Sequence, residues 1–476
     1  MLSHPLPSHR KTKIIATLGP RSSDDATLEA LIKAGVNILR LNMSHADHQW
    51  VRSITHRARS IAEQLQYPLG FLLDTQGPAI RTGDLPTQLN LKPGDIFTFT
   101  VRGEKNEEQF SVDTNYDQLI DDICVGDIVM VDNGMIQMRV LAKENKKLRC
   151  EVLTPGTLGS RRHINLPGIK VNLPALTDKD LKDIALGVEV GVDYVALSFA
   201  REANDIFLLR QILDTHHSSA LVIAKIEDQS AITNIDEIID AADGVMVARG
   251  DLGIEIPFEE LPIVQRRIVK NCIRKQKPVI VATHMLESMI QNPIPTRAEI
   301  TDVANAVYEQ ADALMLSGET AVGQYPVECI RVLDRVARRI ERSGGAGYAR
   351  LIQLQHDKER VIASAVHLAD ETQAEALCVF TRTGFMARTA ASLRPRHSPI
   401  FAFTPDVALA RKLLLHYGIV PIVLEFSSDP EVTLNAALQL LHERYPHLSG
   451  KPIVVVSNHK AGREAPPMVQ LLRGNS

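Results

Sequence analysis

The sequence predicts an α/β protein built on a (β/α)8 TIM barrel, with a small all-β domain inserted in it and an α/β domain at the C-terminal end. Three observations predict this fold class. Eight short apolar runs recur along the chain, and each run ends in polar or charged residues. The segments between most of these runs have helical periodicity, and two stretches of the chain depart from the repeat.

The eight runs are nearly continuous in apolar residues rather than alternating, which is typical of parallel strands buried on both faces. In chain order they are KIIATLG (13–19), NILRLNMSH (37–45), GFLLDTQG (70–77), YVALSFA (194–200), LVIAKIED (221–228), GVMVARGDLG (244–253), PVIVATHM (278–285) and ALMLSGETA (313–321). In a barrel of this kind the active site lies at the carboxyl ends of the strands. We therefore expect the polar ends of all eight runs to meet at one mouth.

The intervening segments have the spacing of amphipathic helices. In FEELPIVQRRIVKNCIRKQ, one helical face carries Leu261, Val264, Ile268 and Cys272. Strand, helix and strand repeating at about 25 to 35 residues is the βα pattern.

Two stretches do not follow this pattern. Residues 84 to 169 contain short runs separated by turn residues, which indicates a small all-β module inserted between the third and fourth strands. After GGAGY (344–348), the runs ALCVF, PIFAF, IVPIVLEF and KPIVVVS alternate with helical stretches. We expect a barrel over 1–83 and 170–346, an inserted domain over 84–169 and a C-terminal α/β domain over 347–476.

Composition excludes several classes of protein. A net charge of -4 in 476 residues lacks the basic excess of a dedicated nucleic-acid binder. Five dispersed cysteines without a CxxC pair favour reduced thiols over a disulfide or zinc framework. The N-terminus has no apolar segment of a secretory signal, and no run is long enough to span a membrane. The sequence therefore predicts a soluble, cytoplasmic protein.

The fifth and sixth runs carry the charges that point to chemistry. Lys225 and Glu227 lie two residues apart on one strand, so their side chains point the same way. Asp251 follows the neighbouring strand. Two carboxylates without a nearby His or Cys suit Mg²⁺ or Mn²⁺. The alternative is a structural ion pair that closes the top of the barrel.

Groups that could bind an anion lie close to these charges. The backbone amides of Gly250 and Asp251 can open a helix and receive a carboxylate or phosphate. Arg40, at the end of the second run, offers a guanidinium fork to phosphate oxygens. The chain contains no GxxxxGK[ST], HxE, GxSxG or GxGxxG motif, so phosphate handling would not use a P-loop.

Oxygen donors with little charge end the second and third runs. Asn42, Ser44, Asp74 and Thr75 carry one full charge among them, which is plausible for a monovalent cation; each could equally cap the next helix. Thr283 and Ser317, after the seventh and eighth runs, are hydroxyls that can relay a proton or cap a helix. Together these groups fit phosphoryl transfer, in which positioning and neutralising oxygens supply most of the catalysis.

Longer motifs resemble a known family. The segments KTKIIATLGP, NILRLNMSH, LLDTQGPAIRTGDL, IAKIED, MVARGDLGIEIP, ATHMLESM, PTRAEITDVANAV and LMLSGETAVGQYP closely resemble pyruvate kinase, in the family's order over about residues 10 to 346. GTLGSRRHINLPG resembles the return from the family's inserted domain, and TRTGFMARTAASLRPRHSPIFAFTP resembles its C-terminal domain more loosely. The resemblance implies phosphoryl transfer from phosphoenolpyruvate to ADP, giving pyruvate and ATP, in the last step of glycolysis.

The resemblance also implies roles for individual residues. Lys225 would stabilise the phosphoryl group during its transfer, and Arg40 would bind the phosphate. Glu227 and Asp251 would hold Mg²⁺. The amides of Gly250 and Asp251, with Thr283, would seat the substrate carboxylate, and Thr283 and Ser317 would lie near the site of enolate protonation. The implied K⁺ ligands are Asn42, Ser44, Asp74 and Thr75. The positions implied to line the nucleotide, beneath an inserted β-barrel that closes as a lid, are Pro20, Asn42, His45, Arg81 and Arg162.

The sequence departs from the family at several positions. The family commonly has a lysine where Gln76 stands and a Glu or Lys at the place of Ala79, so Ala79 leaves K⁺ dependence open. Asp228 replaces a usual Asn beside the metal, and His284 replaces a usual Gln near the substrate. The tail VVVSNHKAGREAPPMVQLLR lacks the family's glycine-rich loop, which puts a fructose-1,6-bisphosphate site in doubt.

Regulation and assembly are implied only by resemblance. The turn formed by Thr381, Arg382 and Thr383 could bind an effector phosphate in an allosteric C-terminal domain, or simply cap a helix. The family is usually a homotetramer, and Arg297 matches an interface position. Two other functions stay open at this point: a catalytically impaired paralogue that senses a metabolite, and another barrel enzyme of phosphoenolpyruvate or pyruvate, such as a metal-dependent lyase or aldolase.

Overall fold

The computed structural model describes residues 10–101, 110–132, 134–144, 146–169, 171–458 and 467–473. The strands are, in chain order, β1 Lys13–Thr17, β2 Ile38–Asn42, β3 Gly70–Asp74, β4 Leu89–Leu91, β5 Ile96–Val101, β6 Ser111–Thr114, β7 Ile128–Val131, β8 Ile136–Glu144, β9 Lys147–Val152, β10 Gly156–Leu158, β11 Ile164–Asn165, β12 Tyr194–Leu197, β13 Leu221–Ile226, β14 Gly244–Ala248, β15 Val279–Ala282, β16 Ala313–Leu316, β17 Ala376–Phe380, β18 Ile400–Thr404, β19 Ile419–Val423, β20 Pro452–Asn458 and β21 Pro467–Arg473.

The α-helices are α1 Asp25–Ala34, α2 His48–Gln64, α3 Leu119–Asp122, α4 Asp178–Glu189, α5 Ala203–Thr215, α6 Gln229–Thr233, α7 Ile235–Ala241, α8 Arg249–Glu255, α9 Leu261–Arg274, α10 Arg297–Tyr308, α11 Gly318–Ala321, α12 Pro326–Glu341, α13 Asp357–Glu371, α14 Phe385–Ser392, α15 Val407–Lys412 and α16 Pro430–Arg444. Among the described residues, no helix combines the length and apolar character needed to cross a bilayer.

Eight parallel strands close into a barrel in the order β1-β16-β15-β14-β13-β12-β3-β2. These strands are the eight apolar runs of the sequence, so the predicted (β/α)8 barrel is confirmed. Their outward side chains form one large core with the surrounding helices, and their inward side chains form a second core inside the barrel. The barrel is therefore filled, and only the strand ends are free to carry chemistry.

Strands β4 to β11, together with the short helix α3, form a β domain inserted between β3 and β12. Six of its strands form one sheet in the order β11-β7-β8-β9-β5-β6, and β10 pairs with β4 in a second. Alternate residues of β8 and β9 face a separate apolar core, as the period-2 pattern of a half-buried sheet requires.

The C-terminal domain has a five-stranded sheet in the order β19-β18-β17-β20-β21, with an apolar core on each face. Strands β17 to β20 are the four runs expected from the sequence. Strand β21, which pairs antiparallel with β20, was not expected. Residues 459–466, where the family's glycine-rich loop was sought, lie outside the described residues.

A short turn of the C-terminal domain closes the amino-terminal end of the barrel. Leu414 and Leu415 belong to the core inside the barrel, together with Tyr194 at the start of β12. The Tyr194 hydroxyl donates to the carbonyls of Arg411 at 2.9 Å and Lys412 at 3.0 Å. The mouth at the opposite end is therefore the only end of the described barrel without such a plug.

Candidate active site

Lys225 lies at the centre of a buried charge cluster at the barrel mouth. Its Nζ lies 2.9 Å from Glu227 Oε1 and 3.1 Å from Asp74 Oδ1. Asp74 ends β3, so strands far apart in the chain meet at this ammonium. The sequence predicted that Lys225 and Glu227 share one side of β13, and the structure agrees.

Asp74 connects this lysine to Arg40. Arg40 Nε donates to Asp74 Oδ2 at 2.6 Å, and Arg40 Nη1 donates to Thr17 Oγ1 at 3.0 Å. Because β2 pairs with β3, Asn42 lies directly opposite Asp74 in the register. Four neighbouring groups from β1, β2, β3 and β13 are therefore fixed relative to one another.

Burial and charge act in opposite directions on these groups. Burial alone would lower the pKa of Lys225, but Asp74 and Glu227 raise it above its ordinary value. Burial alone would raise the pKa of Asp74, but Arg40 and Lys225 lower it. Burial raises the pKa of Glu227 to about 7, with Lys225 opposing the shift and Asp251 adding to it. The last effect shows that the carboxylates of Glu227 and Asp251 feel each other's charge.

The end of β12 completes the cluster with two residues that sequence reasoning missed. Ser198 Oγ accepts a hydrogen bond from Lys225 Nζ at 2.7 Å and donates to the carbonyl of Thr75 at 2.7 Å. The Phe199 amide donates to Glu227 Oε2 at 2.7 Å, from a backbone with φ of 53°. The signal was present: Ser198 directly follows an apolar run, as the polar residues of the other strand ends do.

Gly77 permits this close approach. A Cβ at this position, where φ is 70°, would lie 2.8 Å from Ser198 Cβ. The amides of Gln76 and Gly77 both donate to Asp180 Oδ1, at 3.0 and 3.1 Å, which pins the loop leaving β3.

Thr283, directly after β15, has a backbone conformation that is rare for a β-branched residue. Its φ is 66°, and that of His284 is 54°. Thr283 Oγ1 donates to the carbonyl of Ala282 at 2.6 Å and accepts from the Gly250 amide at 2.7 Å. One of the two amides expected to seat an anion is thus bonded to Thr283 in this structure.

Arg249 holds this strained turn in place. Its Nη2 donates to the Thr283 carbonyl at 2.6 Å, its Nε lies 3.3 Å from the Ala282 carbonyl, and its Nη1 donates to Asp302 Oδ1 at 2.8 Å. Sequence reasoning assigned Arg249 no role. Its hydrogen bonds connect α8 to the turn after β15 and to α10.

Ser317, directly after β16, presents an unpaired hydroxyl. Its Oγ is buried and has no hydrogen-bond partner among the described residues. Its amide donates to Glu319 Oε2 at 2.7 Å, which fixes the start of α11. Because a buried hydroxyl without a partner is costly, this group is suited to bind a ligand or a water molecule.

The candidate donors for a divalent cation are two carboxylates, that of Glu227 directly after β13 and that of Asp251 in the first turn of α8. In the part of the chain that the structure describes, no group of three or more His, Cys, Asp or Glu side chains is placed to hold a metal ion. Mg²⁺ is commonly held by one or two carboxylates with water and substrate phosphate as further ligands. Glu227 and Asp251 therefore fit Mg²⁺ as a substrate-linked ion.

Comparison with known proteins identifies the family. Residues 9–330 match the family model "Pyruvate kinase, barrel domain", and residues 359–466 match "Pyruvate kinase, alpha/beta domain". The chain belongs to the pyruvate kinase family.

Individual relatives agree over nearly the whole chain. A chloroplastic pyruvate kinase isozyme G of Nicotiana tabacum is 42% identical over 95% of this chain and 81% of its own length. A pyruvate kinase of Staphylococcus epidermidis is 38% identical over 96% of this chain and 79% of its own. The crystal structure of a pyruvate kinase from Cryptosporidium parvum matches with a TM-score of 0.92 and 35% identity, over 98% of this chain and 96% of that one.

Membership of the pyruvate kinase family confirms the enzyme class and reaction expected from the sequence, phosphoryl transfer between phosphoenolpyruvate and ADP. Nothing found supports the two alternatives, a metabolite-sensing paralogue and a barrel lyase or aldolase.

One departure from the pyruvate kinase pattern has a structural explanation. Asp228 Oδ1 accepts from the Ala231 amide at 2.7 Å and caps the N-terminus of α6, a role that Asn fills equally well. Burial raises the pKa of Asp228. His284 is exposed, and nothing in the structure explains its replacement of a Gln.

Three of the residues implied as K⁺ ligands, Asn42, Asp74 and Thr75, already contact other protein groups through their side chains. Asn42 Oδ1 accepts from the Ser44 amide at 3.2 Å, and Thr75 Oγ1 lies 3.2 Å from the Ala196 carbonyl. Asp74 is shared between Arg40 and Lys225. Asn42 and Asp74 are neighbours, which is consistent with a common site.

The residues implied to line the nucleotide come from several elements, and Arg81 and Arg162 lie on paired backbone segments. Pro20 lines a cavity of about 490 Å³ that it shares with Tyr325. Arg81 donates to the Arg161 carbonyl at 3.1 Å, Arg162 Nη1 pairs with Asp132 Oδ1 at 3.2 Å on the inserted domain, and His45 is exposed.

The turn considered for an effector uses its hydroxyls internally. Thr381 Oγ1 accepts from the Gly384 amide at 2.8 Å at the start of α14, and Thr383 Oγ1 lies 3.5 Å from the Phe385 amide. The Arg382 guanidinium lies 5.0 Å from the centre of the Phe426 ring. Thr381 therefore closes the turn that leads into α14, whose N-cap residue is Gly384, with φ of 83° and no side-chain cap.

Proposed function

We propose that this chain transfers the phosphoryl group of phosphoenolpyruvate to ADP at the barrel mouth, where Lys225, Arg40, Glu227 and Asp251 converge. The observation that carries the proposal is the Lys225 ammonium held within 3.1 Å of two buried carboxylates. A cation fixed in this way is preorganised to neutralise charge on a transferring phosphoryl group.

The residues at the mouth divide the reaction among them. Arg40 binds the phosphate of phosphoenolpyruvate, and Lys225 stabilises the phosphoryl group as its bond to the enolate oxygen breaks and a bond to the terminal oxygen of ADP forms. The carboxylate is seated by Thr283 and the amides of Gly250 and Asp251. Thr283 and Ser317 then direct a proton to the enolate carbon, through water where needed.

Two kinds of cation fit the donors. Glu227 and Asp251 would hold Mg²⁺ or Mn²⁺, which supplies charge neutralisation for the phosphate and enolate oxygens. Asn42, Ser44, Asp74 and Thr75 would hold K⁺, and Ala79 supplies no charge that would replace it.

The inserted domain, residues 84–169, acts as a lid over the barrel of residues 1–83 and 170–346. Pro20, Asn42, His45, Arg81 and Arg162 would line ADP, and closure of the lid would exclude water. The lid contacts the barrel through Asn165, whose Nδ2 donates to Glu255 Oε1 at 3.0 Å.

Assembly, regulation and location belong to the same proposal. We place an interface of a homotetramer near Arg297, because the apolar side chain of Ile294, three residues before it, is 74% exposed. The C-terminal domain, residues 347–476, would be regulatory and bind a phosphorylated effector at Thr381, Arg382 and Thr383. All five cysteines are free thiols, which favours the cytoplasm.

The test is pyruvate formation from phosphoenolpyruvate and ADP by the parent chain and by Lys225→Met, with and without Mg²⁺. We expect activity only with the metal and a loss of at least 100-fold in the variant. Lys92→Met, at an exposed lysine of the inserted domain, is the control. Activity that persists without Mg²⁺ or without Lys225 would contradict the mechanism, and replacing K⁺ by a large organic cation tests the monovalent site.

A further inference from the structure

A cavity of about 860 Å³ lies between the barrel and the C-terminal domain, at the end of the barrel opposite the mouth. One wall comes from the end of α12 and the glycine-rich segment after it. The other wall comes from the segment between α14 and β18. None of its lining residues belongs to the active site or to the Thr381–Thr383 turn.

The lining of this cavity is strongly basic. It contains two acids, Glu341 and Asp370, and six Lys or Arg side chains, which are Lys11, Arg338, Arg342, Arg350, Arg394 and Arg396. The chain as a whole has a net charge of -4, so a general basic excess does not explain this concentration.

The two acids are occupied by backbone amides. Glu341 accepts from the amides of Lys11 at 3.0 Å and Thr12 at 2.8 Å. Asp370 Oδ1 accepts from the Arg396 amide at 2.8 Å. These hydrogen bonds hold the walls of the cavity in place, and the two carboxylates are therefore less available to neutralise the basic side chains.

Some of the basic side chains, in contrast, are without partners. Within the described residues, the exposed side chains of Arg342 and Arg396 make no hydrogen bond or ion pair. Arg394 is only 5% exposed and lines the cavity, and its Nε is buried with no partner among the described residues. Arg394 is held rigidly, because its Nη2 donates to Asp312 Oδ2 at 2.7 Å and its guanidinium lies 4.7 Å from the centre of the Tyr417 ring.

We propose that this cavity binds a small phosphate monoester, a sugar phosphate or a nucleoside monophosphate. Arginine forks match phosphate oxygens in geometry and charge, and an unpaired buried guanidinium nitrogen gains most from such a partner. The volume is within the range of small-molecule sites. Arg342 belongs to the barrel and Arg396 to the C-terminal domain, so the bound phosphate bridges the two.

The test measures binding heat for inorganic phosphate, glucose 6-phosphate and AMP, with glucose and adenosine as uncharged counterparts. We expect the parent chain to bind at least one phosphate ester and neither counterpart. The double variant R342A/R396A should raise the Kd of that ester at least tenfold. Because both side chains are exposed and unpaired, the variant should keep the parent's circular dichroism and melting temperature.

The control variant R331A/R335A removes two exposed arginines of α12 that do not line the cavity, and it should bind like the parent. Arg382→Ala probes the other proposed phosphate site, the turn after β17. Loss of ester binding in Arg382→Ala with binding kept in R342A/R396A would assign the ester to that turn and overturn the proposal. Equal binding by the parent and R342A/R396A, or no binding of any ester, would also overturn it. Binding heat is measured without catalytic turnover, so the result does not depend on the catalytic roles proposed for the residues at the barrel mouth.

Discussion

At the scale of single residues, the neutral hydroxyl of Ser198 fixes the position of a charged group, the Lys225 ammonium. Its hydroxyl joins the Lys225 ammonium to the backbone of β3, and it is buried with the cluster. Lys225 has a flexible four-carbon stem, so its position depends on such contacts. Ser198 is therefore a positioning residue in the proposed mechanism.

We predict that Ser198→Ala lowers kcat by about 10- to 100-fold, because a small displacement of a catalytic group is costly. The KM for phosphoenolpyruvate should change less, since Arg40 and the anion-binding amides remain. Steady-state kinetics on both substrates provides the measurement.

The matched control is Ser219→Ala. Ser219 Oγ accepts from Lys412 Nζ at 2.7 Å, which is the same pair of groups on the surface away from the mouth. A kcat for Ser198→Ala within twofold of that control would contradict the positioning role.

At the scale of elements, each barrel strand delivers a chemical group within a residue or two of its end. Thr283 and Ser317 directly follow β15 and β16, and α8 begins with Arg249 directly after β14. The turn after β15 is the most strained of these junctions, since two consecutive residues have positive φ. Such strain persists only where the surroundings enforce it, and Arg249 is the group that does so here.

We predict that Arg249→Lys lowers kcat/KM for phosphoenolpyruvate by about tenfold or more. The lysine keeps a positive charge near Asp302 but cannot bond the Ala282 and Thr283 carbonyls with one planar fork. Thr283 would then relax away from the Gly250 amide. Kinetics with phosphoenolpyruvate as the varied substrate tests this.

Arg52→Lys serves as the comparison, because Arg52 forms a two-pronged pair with Glu189 on the exposed face of the barrel. That variant should behave as the parent. Equal kinetics for the two variants would show that Arg249 does not position Thr283.

At the scale of the whole molecule, the barrel and the C-terminal domain share a core. Leu414 is 2% exposed and fills the floor of the barrel, although it belongs to the C-terminal domain. Asp193 and Asp312, on the barrel side, pair with Arg411 and Arg394 at 2.8 and 2.7 Å. The two domains therefore stabilise each other.

We predict that Leu414→Ala lowers the free energy of unfolding by about 3 kcal/mol, as is usual for a buried leucine. Urea denaturation followed by fluorescence measures it. Leu351→Ala, at a leucine that is 43% exposed, should cost much less. Equal losses would mean that the floor of the barrel is not a packed core.

The contact between the domains should also make stability depend on pH. Burial, together with the positive charges of Arg388, Arg394 and Lys13, lowers the pKa of His416 to about 3. The unfolded chain binds this proton near pH 6.5, so stability is lost as the pH falls below that value. Between pH 7 and pH 5 the loss from this residue is about 2 kcal/mol.

His416→Gln should remove that part of the pH dependence. The urea midpoints at pH 7 and pH 5 should lie closer together than in the parent. His367→Gln, at an exposed histidine of α13, should leave the dependence as it is. An unchanged difference in His416→Gln would contradict the assignment.

Local patterns were enough to predict the barrel, its eight strands and several site residues. Lys225 and Glu227 lie two apart on a strand, and the period of a strand alone places them on one side. Apolar runs that end in polar residues mark the mouth because parallel strands all present their carboxyl ends to one side. The resemblance to pyruvate kinase then supplied the reaction.

Contacts between distant segments could be decided only by the tertiary structure. Asp74 and Ser198 reach Lys225 from strands that precede it in the chain, and Leu414 enters the barrel from another domain. The strain at Thr283, the capping by Asp228 and the basic cavity above Arg394 depend on backbone geometry and on which segments pack together. A sequence pattern reports the face on which a side chain lies, whereas its partners follow from closure of the barrel and docking of the C-terminal domain.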